Sequence, residues 1–266
     1  MMLRSKSPLI SVIIPCYNEE ANLRNGVLDE VYTYLSHKKF LWEVIIINDD
    51  STDKSKDLLE HFVHKYRPFF LFDIPHGGKP AAVWFGINKA KGDIVLFTDM
   101  DQSAPISELD KLLIWYGKGY DVVIGSRGSA RNGFSPLRKF GSFVFNTFRR
   151  SFILENIDDT QCGFKLCRRQ IAMEIFPRLS FFKEMKKPTG WNVTAFDVEL
   201  LYLFEKSGHQ IKEVAIKWYN RDKSITKNPK GELTYYVNES IEMSKQIFNI
   251  KINELKRFLK RWPIGG

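Results

Sequence analysis

Leu9–Glu20, with the sequence LISVIIPCYNEE, is an apolar run that ends in polar residues, and it decides the fold class. The same pattern recurs in Trp42–Asp53 (WEVIIINDDSTD) and in Gly92–Gln102 (GDIVLFTDMDQ). Short continuous runs rich in Val and Ile are typical of strands that helices cover on both faces. In open α/β sheets, ligands bind beyond the carboxyl ends of the strands. The three segments therefore predict buried strands that carry functional groups at their C-terminal ends.

The rest of the first half alternates between apolar runs and helical stretches. This alternation predicts βαβ units and an α/β fold with a mostly parallel central sheet flanked by helices. The predicted strands are Leu9–Pro15, Trp42–Asn48, Phe69–Asp73, Asp93–Thr98 and Asp121–Ser126. The predicted helices are Asn22–Ser36, Ser55–Tyr66 and Lys79–Ala90. The 266 residues contain no repeat and no linker, which favours one large domain.

The composition indicates a globular protein with an anionic partner. A net charge of +9 favours a nucleotide, a lipid phosphate, a membrane surface or nucleic acid. No apolar run reaches the roughly 20 residues of a membrane span, and the N-terminal residues lack the features of a signal peptide. The cysteines Cys16, Cys162 and Cys167 are odd in number and lack metal-site spacing. Together these features predict a cytoplasmic protein in a reducing compartment.

Asp99 and Asp101 are the strongest single candidates for a functional site. They follow the buried run Ile94–Phe97 and are separated by one residue. Two carboxylates at this place can hold a hard divalent cation, Mg²⁺ or Mn²⁺, which also binds a substrate diphosphate. Most Asp-x-Asp motifs on protein surfaces bind nothing, but the position after a buried strand favours the metal site.

Other polar residues at the strand ends are candidates for binding a nucleotide. Pro15, Tyr17 and Glu19 follow the first strand, where Tyr17 could stack on a base and Glu19 could accept a hydrogen bond from base or ribose. The alternative is that they only begin the next helix. Asn48 and Asp49 end the second strand and could bind the base or the ribose, although a turn and helix cap explain part of that segment.

A glycine turn, His76-Gly77-Gly78, precedes a predicted helix that begins at Lys79. The glycines permit close approach of the backbone, and Lys79 could contact a phosphate near the positive end of the helix. The turn lacks the glycine spacing and the Lys-Ser/Thr pair of a Walker A loop. A purely structural turn explains the motif equally well.

Taken together, these motifs resemble the family 2 glycosyltransferases, whose nucleotide-diphospho-sugar transferase fold is called GT-A. The matching stretches are IPCYNEE, IIINDDSTD, GGKPAAVWFGINKAKGD and TDMD, and the resemblance covers Ile10–Phe204. IGSR, DTQCGFK (159–165) and FDVELL (196–201) are similar to the polyprenyl-phosphate branch of this family. That branch includes the dolichyl-phosphate glucose and mannose synthases, and this sequence resembles the glucose synthases more closely.

The resemblance implies roles for individual residues. Those expected to bind the nucleotide sugar are Pro15, Tyr17, Glu19, Asn48, Asp49, Lys79 and Asp99, with Asp99 and Asp101 holding Mg²⁺ or Mn²⁺ against the diphosphate. Arg127, Arg138 and Ser142 would receive the phosphate of a polyprenyl or dolichyl acceptor. Asp101, Arg127 and Asp197 are the expected catalytic residues. The donor would be UDP-glucose or GDP-mannose.

The sequence leaves the acceptor open. A lipid phosphate is already an anion and needs no strong base, whereas a hydroxyl acceptor requires a carboxylate base, for which Asp197 is the best candidate. A nucleotidyltransferase is a remote alternative, because the glycine-rich phosphate loop near its first strand is missing here. A nucleic-acid-binding module is not expected, since the basic residues are dispersed and no aromatic-basic RNA motif is present.

The C-terminal region, 232–266, is predicted to be an amphipathic helix that follows a catalytic domain spanning 1–231. Its apolar side could pack on the domain, while the basic and aromatic end, INELKRFLKRW, is typical of an interfacial membrane helix. A membrane partner or a second subunit could also receive it. We therefore expect a peripheral protein at the cytosolic face of a membrane, with a homo-oligomer left open.

Overall fold

A computed structural model describes residues 8–128, 154, 157–183, 196–221, 248 and 252 of the chain. Its strands are β1 (Leu9–Cys16), β2 (Leu41–Asn48), β3 (Phe69–Asp73), β4 (Ile94–Phe97), β5 (Val122–Ser126), β6 (Lys165–Arg168) and β7 (Ile211–Ala215). They form one seven-stranded sheet in the order β3-β2-β1-β4-β6-β5-β7. The five strands predicted from the sequence are all present.

The described helices flank this sheet. They are α1 (Glu20–Arg24), α2 (Val27–Ser36), α3 (Ser55–Lys65), α4 (Lys79–Lys89), α5 (Leu109–Gly117), α6 (Arg169–Ile175), α7 (Ser180–Lys183) and α8 (Phe196–Lys206). The prediction of a single helix over Asn22–Ser36 is wrong, because the helix is interrupted between α1 and α2. Gly26 lies there with a φ of 76°, a left-handed conformation that glycine adopts at low cost.

Two apolar cores lie on opposite faces of the sheet, because successive side chains of a strand point to opposite sides. Ile13 of β1 packs into one core, and its neighbours Val12 and Ile14 pack into the other. Each core also contains buried residues of the covering helices. This double covering explains why β1, β2 and β4 read as continuous apolar runs rather than as alternating ones.

Strand β6 is the exception in a mostly parallel sheet. It lies between β4 and β5 and runs antiparallel to both, with Lys165 opposite Phe97 and Ile124. The other strands run in one direction. The beginning of β6 therefore lies at the same edge as the carboxyl ends of its neighbours. Residues just before β6 reach the edge where a ligand is expected, and the strand itself was not predicted.

Several expectations concern other parts of the chain. The catalytic-domain boundary at 231 and the C-terminal helix lie outside the described residues, apart from residues 248 and 252. In the described part of the chain, no helix combines the length and the apolar character needed to cross a bilayer. The three cysteines, all within that part, are buried free thiols.

Candidate active site

Asp49 holds the turn that begins α4. One carboxylate oxygen accepts the Gly77 N–H at 2.7 Å, and the other accepts the Gly78 N–H at 2.9 Å. The imidazole Nδ1 of His76 lies 3.1 Å from the same carboxylate, which is fully buried. Asp49 therefore connects the end of β2 to the first turn of α4. Its expected contact with a base or ribose stays a prediction.

The other residues at the ends of β1 and β2 also have structural partners. The ring of Tyr17 stacks on His76 with centroids 4.3 Å apart, and Glu19 accepts a hydrogen bond from the Asn22 amide at 2.5 Å. Asn48 is buried and donates to Asp73 at 2.7 Å. Pro15 is buried within β1 opposite Ile47. These residues lie at the carboxyl ends of β1 and β2, where Asn48 and Pro15 are buried, and their expected contacts with a nucleotide stay a prediction.

The loops after β1 and β2 are tied together by side-chain hydrogen bonds. Asn18 adopts a φ of 54°, and its side-chain oxygen accepts the Thr52 N–H at 2.8 Å. The Glu19 N–H donates to the Ser55 hydroxyl at 2.8 Å, and the Glu20 N–H donates to Asp53 at 3.1 Å. Thr52 and Asp53 of NDDSTD, together with Ser55, therefore hold the backbone of the loop 18–20 that follows Tyr17.

Lys79, the first residue of α4, forms an ion pair with Asp99. Burial lowers the pKa of the Lys79 ammonium, but the carboxylates of Asp99, Asp197 and Asp101 raise it by more, so its pKa lies above the ordinary value. Three predicted site carboxylates therefore act electrostatically on one ammonium group, and Asp99 contacts it directly. The resulting cluster contains fixed charges of both signs at the sheet edge.

Asp101 and Asp99 differ in exposure. The side chain of Asp99 is partly exposed, whereas Asp101 is a buried residue and accepts the Ser103 N–H at 2.8 Å. Two carboxylates beyond the end of a strand would both be expected to face solvent in an empty site, and this expectation is wrong for Asp101. Its local hydrogen bond caps the turn that follows β4, which explains the burial.

The donor set fits a metal that is shared with a substrate. Among the described residues, no cluster of three or more His, Cys, Asp or Glu side chains could hold an ion alone. Mg²⁺ in particular is held by one or two carboxylates together with substrate phosphates and water. Gln102 adds a buried amide oxygen that has no hydrogen-bond partner within the described residues, while its Nε2 donates to the Asp99 carbonyl oxygen at 2.8 Å. Asp99 and Asp101 would hold the ion, and phosphate and water would complete its shell.

Arg127, at the end of β5, is bound by Asp159. Its Nε and Nη2 each lie 2.7 Å from a carboxylate oxygen, and its backbone N–H donates to the same carboxylate at 2.9 Å. Burial lowers the pKa of the Arg127 guanidinium, but Asp159 raises it by more. Asp159 therefore takes the Nε–H and one N–H of Nη2, and a phosphate could be bound only through the second N–H of Nη2 and those of Nη1. Arg138 and Ser142, the other expected acceptor residues, lie outside the described residues.

Asp197, at the beginning of α8, is bound by Lys165. The ammonium of Lys165 lies 2.6 Å from Asp197 Oδ1 and donates to the Cys162 carbonyl oxygen at 2.5 Å. Lys165 and Asp197 are both buried. The ion pair between Lys165 and Asp197 joins the beginning of β6 to α8.

Sequence reasoning missed the roles of Asp159, Gly163 and Lys165. All three belong to DTQCGFK, which the sequence marks as a specific motif without saying what each residue does. Asp159 binds Arg127, Lys165 binds Asp197, and Gly163 lies against Asp99. The missing signal was the antiparallel β6, whose position makes these three contacts possible.

Comparison with known proteins agrees with this arrangement. Residues 11–176 match the family model described as Glycosyl transferase family 2. A dolichyl-phosphate beta-glucosyltransferase of Dictyostelium discoideum is 31% identical over 96% of this chain and 78% of its own length. Another, of Drosophila melanogaster, is 34% identical over 83% of this chain and 70% of its own length.

Solved structures share the fold at lower identity. The mannosyl-3-phosphoglycerate synthase of Rubrobacter xylanophilus superposes with a TM-score of 0.62 at 14% identity, over 94% of this chain and 75% of that one. The glucosyl-3-phosphoglycerate synthase of Mycobacterium tuberculosis, in complex with Mn²⁺, UDP and glucosyl-3-phosphoglycerate, gives 0.57 at 18% identity. This second alignment covers 89% of this chain and 77% of the other.

Proposed function

Because the chain belongs to the family 2 glycosyltransferases and has their GT-A fold, we propose that it transfers glucose from a nucleoside-diphosphate sugar to dolichyl or another polyprenyl phosphate. The observation that carries the proposal is the name shared by relatives that align with most of the chain at about 30% identity. UDP-glucose is the proposed donor. Mannose from GDP-mannose is the second choice.

The charged cluster supports the donor half of the reaction. The donor diphosphate would bind beside Asp99 and Asp101 through a divalent cation, Mg²⁺ or Mn²⁺, which offsets negative charge on the leaving diphosphate. Lys79 brings a permanent positive charge to the same place, where it would contact the diphosphate. Tyr17, Glu19 and Asp49 lie further along the edge, where base and ribose would be recognised.

The acceptor half requires two anions to approach each other. The acceptor phosphate would attack the anomeric carbon from the face opposite the leaving diphosphate, so the reaction inverts the configuration. Arg127 is the proposed phosphate ligand, with Arg138 and Ser142. Because Asp159 takes the Nε–H and one N–H of Nη2, the proposed contact uses the remaining N–H groups of Nη1 and Nη2.

A hydroxyl acceptor is the alternative, with Asp197 as the general base. One oxygen of Asp197 accepts a hydrogen bond from the buried ammonium of Lys165. Only the other oxygen would remain to take a proton from a hydroxyl group. This arrangement favours a structural or sugar-binding role for Asp197 over the role of base, and it favours a phosphate acceptor.

The proposed site of action is the cytosolic surface of a membrane, because the acceptor is a lipid. The net charge of +9 supports attraction to an anionic surface. Each basic residue near an anionic leaflet contributes about 1 kcal/mol, and salt screens this contribution. A membrane protein or a second subunit could also bring the chain to the bilayer.

The first prediction is that radiolabel from UDP-glucose enters a lipid product. Purified protein is incubated with labelled UDP-glucose, Mn²⁺ and dolichyl phosphate in vesicles, and the organic phase is counted. The matched control contains dolichol, which lacks the phosphate. Anionic vesicles at low salt should give faster transfer than neutral vesicles. Lipid labelling only from GDP-mannose would replace glucose by mannose, and labelling only of a water-soluble acceptor would refute the lipid acceptor.

The second prediction concerns Asp49→Ala. The substitution removes the acceptor of two backbone N–H groups, so we expect it to lower the free energy of unfolding by about 1–3 kcal/mol. Because Asp49 positions the turn before Lys79, the KM for the donor should also rise. Urea unfolding followed by circular dichroism and donor kinetics measure the two effects. Asp57→Ala, at an exposed position of helix α3, is the control, and equal stability of the two variants would contradict the structural role of Asp49.

A further inference from the structure

Gly163 lies against the carboxylate of Asp99. A Cβ atom built on Gly163 would be 2.6 Å from Cγ and 2.7 Å from Oδ1 of Asp99, and closer still to Oδ2. Ordinary contacts between non-bonded heavy atoms are about 3.5–4.0 Å. The carboxylate that we propose as a metal ligand therefore occupies the space in which any other residue would place its side chain.

Among the described residues, the side chain of Asp99 is what a side chain at position 163 would meet first. The φ of Gly163 lies outside the left-handed range, so the backbone accepts an L-residue. The three atoms nearest to the built Cβ all belong to the Asp99 side chain. Neither backbone strain nor an apolar neighbour among these nearest atoms accounts for the glycine.

The backbone around Gly163 is held more firmly than Asp99. Cys162 and Phe164 on either side are buried. The Phe164 carbonyl oxygen accepts the Gly125 N–H at 2.8 Å, and the Cys162 carbonyl oxygen accepts the Lys165 ammonium at 2.5 Å. The side chain of Asp99 is 43% exposed. A side chain at position 163 would therefore displace the Asp99 carboxylate rather than the backbone of residues 162–164.

We infer that Gly163 is a positioning residue that holds the Asp99 carboxylate in its metal-binding place by leaving room for it. This inference rests on the proposed function, in which Asp99 binds the cation of the nucleotide sugar. The ammonium of Lys79 contacts the Asp99 carboxylate, and the backbone of Gly163 packs against the same carboxylate. The glycine would touch neither substrate nor metal, and it would act through Asp99 alone.

The third prediction is the effect of Gly163→Ala on Mn²⁺ binding. Mn²⁺ is titrated into the full-length protein in the presence of UDP, and free Mn²⁺ is followed by electron paramagnetic resonance. We expect the affinity to fall by roughly 10- to 100-fold, the loss typical when a metal ligand loses its support. Gly117→Ala, where the built Cβ meets no atom within 4 Å, should bind Mn²⁺ as the wild type does.

A second control separates crowding from positioning. Gly92 lies just before β4, at the opposite end of the strand from Asp99, and a Cβ there would be 2.5 Å from the Leu9 carbonyl oxygen and 2.7 Å from Ser11 Oγ. Gly92→Ala should therefore lower the Tm without weakening Mn²⁺ binding.

Thermal stability tests the contact without any metal. Gly163→Ala should lower the Tm by roughly 2–10 °C, as overpacking does, and by much less in an Asp99→Ala background. If Gly163→Ala alone does not fold, a folded double variant supports the same conclusion. An equal loss of Tm in both backgrounds, or an unfolded double variant, would overturn the inference.

The metal titration separates this inference from the proposed function. Loss of Mn²⁺ binding in Asp99→Ala with wild-type affinity in Gly163→Ala would overturn the positioning role and leave the proposed function standing. Retention of Mn²⁺ by Asp99→Ala would refute Asp99 as the ligand, and with it the metal-binding part of the inference. The Tm comparison would then test only whether a side chain at position 163 clashes with Asp99.

Discussion

Asp99→Ala and Asp101→Ala are each expected to lower sugar transfer by on the order of 10³-fold, because a catalytic metal ion contributes several kcal/mol to the transition state. The two variants should differ in stability. Asp101 caps the turn after β4 through the Ser103 N–H at 2.8 Å, so its loss should cost about 1 kcal/mol. Asp99 is more exposed, and its replacement should change the free energy of unfolding less.

The control for this prediction is Asp93→Ala. Asp93 is an exposed carboxylate just before β4, at the end of the strand away from the site. Transfer should be normal in Asp93→Ala. In the wild type, a chelator should stop transfer, and added Mn²⁺ or Mg²⁺ should restore it. Near-normal transfer by both site variants, or full activity in chelator, would remove the metal from the proposed mechanism.

Lys165→Met is expected to have the largest effect on stability. The substitution leaves the Asp197 carboxylate buried without its cation, which costs about 3–5 kcal/mol for a buried pair. The side chains of Lys165 and Asp197 are only 1% and 8% exposed, so water cannot replace the lost partner. Urea unfolding should show the loss directly. Lys165→Met/Asp197→Leu should recover much of the stability, because it removes both charges, but it should not recover transfer.

Lys38→Met is the matched control. Lys38 and Asp110 lie at the same separation of 2.6 Å, but their side chains are 22% and 54% exposed. An exposed pair contributes about 0–1 kcal/mol. If Lys165→Met costs no more than Lys38→Met, burial of the Lys165–Asp197 pair does not control stability in the way proposed.

The parallel half of the fold could be predicted because its signals are local. The apolar runs of β1, β2 and β4 reveal their burial on both faces, and parallel strands necessarily bring their carboxyl ends to one edge. The position of Asp99 and Tyr17 at this edge follows from that rule alone. The break at Gly26 and the burial of Asp101 did not follow, because each depends on one backbone conformation or one local hydrogen bond.

The antiparallel half could not be predicted in the same way. β6 has only four residues, and its position between β4 and β5 depends on pairing with distant parts of the chain. The contacts of Asp159, Gly163 and Lys165 follow from that position. Asp49 shows the same limit, since its turn partners Gly77 and Gly78 lie 28 and 29 residues away in the sequence.

The bond between Arg127 and Asp159 also has a consequence for how enzymes of this kind diverge. The bidentate contact joins the two ends of the intervening sequence 128–158 at the edge of the sheet. A longer insertion between joined ends adds little entropy cost, about 0.6 kcal/mol for each doubling in length. Changes within this stretch, to which Arg138 and Ser142 belong, are therefore expected to leave the geometry of the proposed donor site unchanged. A change of acceptor would then need no change of fold.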